Sequence, residues 1–127
     1  IAVSAANATL DELARPGMYE RLYAVSDRLR EGLARLVHDL RVPAHVVGLG
    51  PVFQLWFSEH PIRSYRDAVR HADHAAFRLW CEGMLERGVL FRPGAYENLF
   101  VSFAHTEDDV DRTLDAARST LTAMLVA

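Results

Sequence analysis

One apolar stripe between Met18 and Leu40 constrains the fold of this chain more than any other feature. Its apolar residues recur at intervals of three or four, which places them on one face of a helix. The stripe consists of Met18, Leu22, Val25, Leu29, Leu33, Leu36 and Leu40. A coiled coil also uses such a pattern, but Pro43 ends it after about three heptads. We therefore expect a long helix that packs on a sheet.

After Pro43 the apolar period changes to two, which is the spacing of a β-strand. Residues 45–47 are predicted as a short strand, residues 48–51 as a turn, and residues 52–57 as the clearest strand. Both faces of that last strand are apolar. This indicates that the sheet is at least partly covered on each side.

The rest of the chain continues as alternating helices and strands. Helices are predicted over residues 2–14, 72–87 and from Thr106 onward, with strands at 89–91 and 99–103. Ser64 with Asp67 has the spacing of a capping box, Gly88 suits a helix C-terminus and Thr106 suits an N-cap. The predicted order is α-α-β-β-α-β-β-α. It indicates one α+β domain over residues 1–127, a small, mostly antiparallel sheet with helices packed on one side.

The first predicted helix has no obvious partner in that sheet. The chain opens at once on an apolar, helix-like segment, whereas natural termini are usually looser. We therefore expect a piece of a longer protein, in which residues 1–15 form a linking helix that docks on a missing large domain. The docking residues would be Ile1, Val3, Leu10 and Leu13, left as an exposed apolar patch.

The basic residues are unusual because all 14 are arginine and none is lysine. This excludes any chemistry in which the chain itself supplies a lysine amine, such as a Schiff base or a phosphate-loop lysine. The formal net charge of −3 excludes a nucleic-acid binder that works by bulk positive charge. No apolar run approaches the ~20 residues that a membrane helix needs. Cys81 is the one cysteine, so the chain can form no internal disulfide.

Most of the polar residues point to no particular chemistry. The histidines are His38, His45, His60, His71, His74 and His105. His71 and His74 could share a helix face, but nothing completes a known metal spacing, so we expect solvated side chains and no metal site. No nucleophile elbow is present, and Gly48-Leu49-Gly50 lacks the third glycine of a dinucleotide loop. Cys81 lies inside a predicted helix, where a buried, inert thiol is expected.

The segment from Arg92 to Asn98 is the strongest candidate site. It carries Arg92, Tyr96 and Glu97 within six residues, between two predicted strands. Polar groups on a loop that a rigid sheet holds are where binding residues tend to lie. A plain polar connector, with Glu97 in water, explains the same residues equally well.

Four segments together resemble a known enzyme family. They are residues 8–13 (ATLDEL), 47–53 (VGLGPVF), 84–89 (MLERGV) and 102–111 (SFAHTEDDVD). In this order and spacing they resemble the C-terminal small domain of class III, fold-type I aminotransferases, which use pyridoxal phosphate. Within that family they are most similar to the glutamate-1-semialdehyde 2,1-aminomutases. The resemblance covers nearly all of the chain.

The resemblance implies an enzyme whose cofactor is held by a lysine upstream of this region. It implies a cytoplasmic homodimer that acts on a small amino-acid-type substrate, with no nucleic acid or membrane partner. Residues 93–97 match the family's Pro-Ser-x-Phe-Glu motif in proline, aromatic ring and glutamate, so Glu97 would approach the substrate amino group. No catalytic, cofactor-binding or metal-binding residue is expected in the chain, and the chain alone should be inactive and bind no pyridoxal phosphate.

Two alternatives stay open. Gly94 and Pro51 stand where the aminomutases usually carry serine, so an aminotransferase with another substrate fits as well as an aminomutase. A small α+β domain that only binds a ligand or dimerises would need no lysine at all.

Overall fold

A computed structural model describes residues 1–126. These residues form five helices and three strands. The helices are α1 (Ala2–Leu13), α2 (Met18–Asp39), α3 (Tyr65–His71), α4 (His74–Glu86) and α5 (Glu107–Val126), and the strands are β1 (Ala44–Leu49), β2 (Val52–Phe57) and β3 (Leu99–Phe100). None of these helices combines the length and the apolar character that crossing a membrane requires.

The strands form an antiparallel sheet in the order β1-β2-β3. β1 and β2 are joined by a tight turn at Gly50 and Pro51, with Leu49 opposite Val52. Gly48 adopts a φ of 153°, and a Cβ atom there would collide with the backbone of Phe53. Gly48 therefore lies within β1 and Gly50 in the turn, so β1 is longer than the predicted strand of residues 45–47 and the turn is shorter than the predicted residues 48–51.

The core lies between one face of the sheet and three long helices. Phe53, Leu55 and Phe57 of β2 point into it, as their alternate spacing predicts. α2 packs on β1, α4 packs on β2, and α5 packs on both α2 and α4. The stripe of α2 is buried from Leu22 to Leu36, which confirms a helix that packs on a sheet. Leu33, Trp80 and Leu121 are completely inaccessible to solvent and join the three helices at the centre.

Residues 89–91 do not form the predicted strand, so the sheet has three strands and the predicted element order is wrong at this point. The backbone N–H of Val89 instead donates to the carbonyl of Met84 at 2.9 Å, and so helps to cap α4. Gly88 supplies the left-handed residue of that cap, with φ of 80°, as predicted. Phe91 then stacks on Trp80, with ring centroids 4.6 Å apart. Residues 89–91 therefore cap α4 and pack on Trp80, and they do not pair with a strand.

The helix predicted over residues 72–87 is confirmed as α4, but a separate short helix that was not predicted, α3, precedes it. Ser64 does start α3, since its Oγ accepts the Asp67 N–H at 3.2 Å. Ala72 then turns to an extended conformation, and Asp73 caps α4 by accepting the N–H groups of the next two alanines at 2.9 Å. A carboxylate that caps a new helix explains the break.

The last strand is shorter than predicted and ends at Phe100. The Val101 N–H still donates to the carbonyl of Pro51, but the Ser102 N–H donates to Nδ1 of His105 and so begins a turn. Thr106 caps α5 as predicted, because its Oγ1 accepts the Asp109 N–H at 3.2 Å.

α1 has no buried residue. Ile1, Val3 and Leu10 are exposed, Leu13 is half-buried, and the helix touches the start of α2. The exposure is what a docking helix would show before its partner is present, and the docking itself stays a prediction.

Arg41 occupies an unfavourable backbone position at the end of α2. Its φ is 55°, and the N–H groups of Arg41 and Val42 bond back to His38 and Val37 in the pattern that usually has glycine at this residue. We expect Arg41→Gly to raise the free energy of unfolding by about 0.5–1 kcal/mol. Arg35→Gly, inside α2, is the control and should lower it by about 1 kcal/mol. Urea unfolding measures both; a loss of stability in Arg41→Gly would contradict the interpretation.

Candidate functional site

The candidate loop, residues 92–98, follows the α4 cap and leads into β3. A buried glutamine holds it on the face of the sheet opposite α2, α4 and α5, the face that α3 also contacts. Gln54, in the middle of β2, donates from Nε2 to the carbonyl of Ala95 at 2.7 Å and is 2% exposed. A buried amide without a partner is costly, so this contact fixes both Gln54 and the backbone of the loop.

Tyr96 forms the second attachment of the loop. Its hydroxyl lies 3.1 Å from Nε2 of His74 at the start of α4, and its ring packs edge-on against Trp56 of β2. Tyr65 of α3 also packs on the Tyr96 ring, with ring centroids 5.5 Å apart. Together with Arg63 and Val47 these rings line an open cleft of about 300 Å³ on this face. Contacts with β2, α3 and the start of α4 thus hold the loop in position.

Glu97 follows Tyr96 in the sequence and forms an ion pair within the loop. Its Oε2 accepts from Nε of Arg92 at 2.7 Å, and its N–H donates to the carbonyl of Gly94 at 3.1 Å. The Glu97 side chain is half-exposed and the Arg92 side chain is largely exposed. Exposed pairs contribute about 0–1 kcal/mol, so the carboxylate remains available to another cation. An amine that reaches the loop could therefore replace Arg92 on Glu97.

Cys81 lies beneath the loop and matches the inert thiol expected there. It is buried, and its Sγ makes a weak hydrogen bond of 3.7 Å to the carbonyl of Arg92. Burial, together with the charge of Glu82, raises the pKa of the thiol to about 11. The neutral form therefore predominates at physiological pH.

This pKa predicts slow alkylation of Cys81. Because the thiolate is the nucleophile, about one thiol in a thousand would be reactive at pH 8. We expect iodoacetamide to modify the folded protein at least ~50-fold more slowly than the urea-unfolded protein, with the rate rising above pH 10. Mass spectrometry follows the reaction, and rapid labelling of the folded protein at pH 8 would contradict the burial of the thiol.

The histidines do not assemble into a metal site. His71 ends α3 and His74 begins α4, so they do not share a helix. His71 instead lies beside His60, with ring centroids 4.5 Å apart, whereas His74 contacts Tyr96. Within residues 1–126, no group of three or more histidine, cysteine, aspartate or glutamate side chains could hold a metal ion.

The residues of this chain do not fit covalent attachment of pyridoxal phosphate. That attachment needs a lysine amine, and the 127 residues contain none. The loop offers one carboxylate, one arginine and one aromatic ring, a set suited to contact with a substrate. Any lysine for the cofactor would have to come from outside this chain.

Sequence patterns pointed to Arg92, Tyr96 and Glu97 but not to the residues that hold them. Gln54, Trp56, Tyr65 and His74 come from three other elements. Gln54 did carry a signal, since it is the one polar residue within the apolar strand of residues 52–57. A buried strand that contains a single amide predicts a specific hydrogen-bond partner.

Comparison with known proteins relates the chain to one group of enzymes. No family model matches it. It is 40% identical over 119 residues to a glutamate-1-semialdehyde 2,1-aminomutase of Desulfosudis oleivorans, a match covering 94% of the chain and 28% of the relative. It is 39% identical over 117 residues to a second such aminomutase of Brevibacillus brevis, covering 92% of the chain and 27% of the relative.

A solved structure shows the same fold. A glutamate-1-semialdehyde aminomutase of Pseudomonas aeruginosa PAO1 superposes with a TM-score of 0.78 at 23% identity, over 91% of this chain and 25% of that one. The chain thus spans about a quarter to three tenths of the length of the relatives that it matches. In its sequence and in its three-stranded α+β architecture, the chain is similar to part of the glutamate-1-semialdehyde 2,1-aminomutases.

Proposed function

We propose that the chain is the C-terminal small domain of a pyridoxal-phosphate-dependent aminotransferase or aminomutase. The observation that carries this proposal is the 40% identity to a glutamate-1-semialdehyde 2,1-aminomutase over 94% of the chain. The fold supports it, since the segment superposes on an aminomutase structure. In the whole enzyme, the cofactor lysine lies outside these residues and the functional unit is a homodimer.

In this proposal, Glu97 is the substrate-side residue. Its carboxylate accepts a hydrogen bond from the amino group of a small amino-acid-type substrate and favours the cationic form of that amine. Arg92 gives up its ion pair when the amine binds, and Gln54 keeps the loop backbone in place during the exchange. Closure of the small domain then shields the amine from water.

Two preparations test the proposal: the full-length protein and the 127-residue chain. We expect the full-length protein to show the absorbance band of bound pyridoxal phosphate and to transfer amino groups. The chain alone should show neither property, because it supplies no lysine. Turnover of an amino acid by the isolated chain would overturn the proposal.

The encoding gene separates this proposal from a non-catalytic binding or dimerisation module. A lysine-containing segment upstream of Ile1 in the same reading frame supports the enzyme. A start codon immediately before Ile1 would support the module.

A further inference from the structure

A groove of about 500 Å³ lies between α4 and α5, and none of the residues that line it belongs to the candidate loop. Leu79, Ala123 and Met124 give the groove apolar walls. Gly83 and Thr120 line it where the two helices meet, and a Cβ atom at position 83 would come within 2.6 Å of Thr120 Cγ2. The groove is therefore a second cavity, built by residues other than those proposed to contact the substrate.

Thr120 brings to this groove a buried hydroxyl that makes no hydrogen bond. The residue is 2% exposed, and its Oγ1 has no partner among residues 1–126. The other hydroxyl residues of α5 behave differently, since Thr113, Ser119 and Thr122 each donate to the carbonyl four residues earlier at 2.7–3.0 Å. A buried polar group without a partner is costly and rare in folded proteins. Thr120 therefore offers an unused hydrogen-bond acceptor at the groove.

The charged residues that line the groove are mostly acidic. Asp73, Glu82 and Glu86 contribute carboxylates. Arg87 also lines the groove, but its guanidinium donates to the carbonyl of Gly83 at 2.8 Å and lies 3.7 Å from the carboxylate of Glu86. The last turn of α5 reaches the groove and holds no basic residue, so the negative end of the helix dipole adds to the charge. The groove therefore favours a positively charged ligand.

The lining residues also indicate which kind of cation fits. A metal ion needs several converging ligands, and within residues 1–126 no three histidine, cysteine, aspartate or glutamate side chains converge in this way. An ammonium group on an aliphatic chain needs only a carboxylate, a further acceptor and apolar walls. We infer that the groove binds a small aliphatic amine in its protonated form. The ammonium group lies at Thr120 and Glu82, and the carbon chain packs on Leu79 and Met124.

Titration of the full-length enzyme with N,N-dimethylhexylamine tests the inference. This amine is protonated at neutral pH and keeps one N–H donor, but a tertiary amine forms no Schiff base with pyridoxal phosphate. Isotope-labelled methionine methyl groups report binding by NMR, and Met124→Leu identifies the Met124 signal. We expect a saturable shift of this signal with a Kd in the millimolar range. Hexanol, which has the same carbon chain but no charge, should give no saturable shift.

Matched variants assign the binding to residues of the groove. Thr120→Val keeps the shape of the side chain but removes the hydroxyl, so it should weaken binding at least ~5-fold, whereas Thr120→Ser should stay within ~2-fold of the native affinity. Glu82→Gln should weaken binding about threefold. Glu20→Gln removes another exposed glutamate, at the start of α2, and should leave the affinity unchanged. Glu82 is exposed, so its variant keeps the test decisive if Thr120→Val fails to fold.

Three results would overturn the inference. The first is the absence of a saturable shift, as when another part of the enzyme covers the groove. The second is an equal shift with hexanol, which would indicate an apolar contact alone. The third is native affinity in both Thr120→Val and Glu82→Gln.

These outcomes are separate from the proposed function. If the full-length protein neither binds pyridoxal phosphate nor transfers amino groups while the Met124 signal still shifts, the proposed function fails and the amine site remains. If the enzyme turns over and the signal does not shift, the amine site alone fails.

Discussion

Glu97→Gln in the full-length enzyme is expected to lower kcat by about 10- to 100-fold and to leave the cofactor absorbance unchanged. The substitution keeps the shape of the side chain but removes the charge that would hold the substrate ammonium. Hydrogen bonds to charged groups are worth about 1.5–3 kcal/mol, which corresponds to this range of rates. Steady-state kinetics and the visible spectrum measure the two properties separately.

Two control variants make this result specific to the loop. Glu86→Gln removes another exposed glutamate that faces an arginine, Arg87 at 3.7 Å, and should leave kcat unchanged. Arg92→Gln removes the partner of Glu97, and because the pair is exposed, turnover should change by no more than about fivefold. Unchanged kcat in Glu97→Gln would show that the carboxylate has no such role. Loss of cofactor together with turnover would indicate a structural role.

The largest effect on stability is expected at Trp80. This side chain is completely buried and packs against Phe57, Phe77 and Phe91. Trp80→Ala removes these contacts and leaves a large cavity, so we expect a loss of about 3–5 kcal/mol in the free energy of unfolding. Because Phe91 directly precedes Arg92, the variant should also loosen the candidate loop.

Trp80→Phe is the informative comparison. The indole N–H of Trp80 meets no acceptor among residues 1–126, so phenylalanine removes an unpartnered donor while it keeps the aromatic contacts. We expect the free energy of unfolding to fall by less than half as much in this variant as in Trp80→Ala. Urea unfolding of both proteins measures the difference. Equal losses would indicate that the indole N–H does have a partner in solution.

The sequence correctly predicted those parts of the fold that depend on residues close together in the chain. The stripe of α2, the alternation in β2 and the helix caps at Ser64, Gly88 and Thr106 each depend on residues within a few positions of one another. The failure at residues 89–91 has a different origin. Three consecutive apolar residues are typical of a strand. In the folded chain, however, Val89 bonds to the end of α4 and Phe91 packs on Trp80, and neither contact can be read from the local sequence.

The candidate site also has a part that could be predicted from nearby residues and a part that could not. The loop residues Arg92, Tyr96 and Glu97 are close in sequence and could be selected from their chemistry alone. Their support could not, because Gln54 is 41 positions from the carbonyl that it binds and His74 is 22 positions from Tyr96. The ion pair between Arg92 and Glu97 also depends on the turn that the loop makes at Gly94.

The hydrogen bond from Gln54 has a consequence for how such a domain can evolve. It joins a side chain of the sheet to a main-chain carbonyl of the loop, so it does not depend on which side chains the loop carries. Residues on both sides of Ala95 can therefore change while the loop keeps its place. A domain built in this way can change the side chains of a surface loop without a new fold.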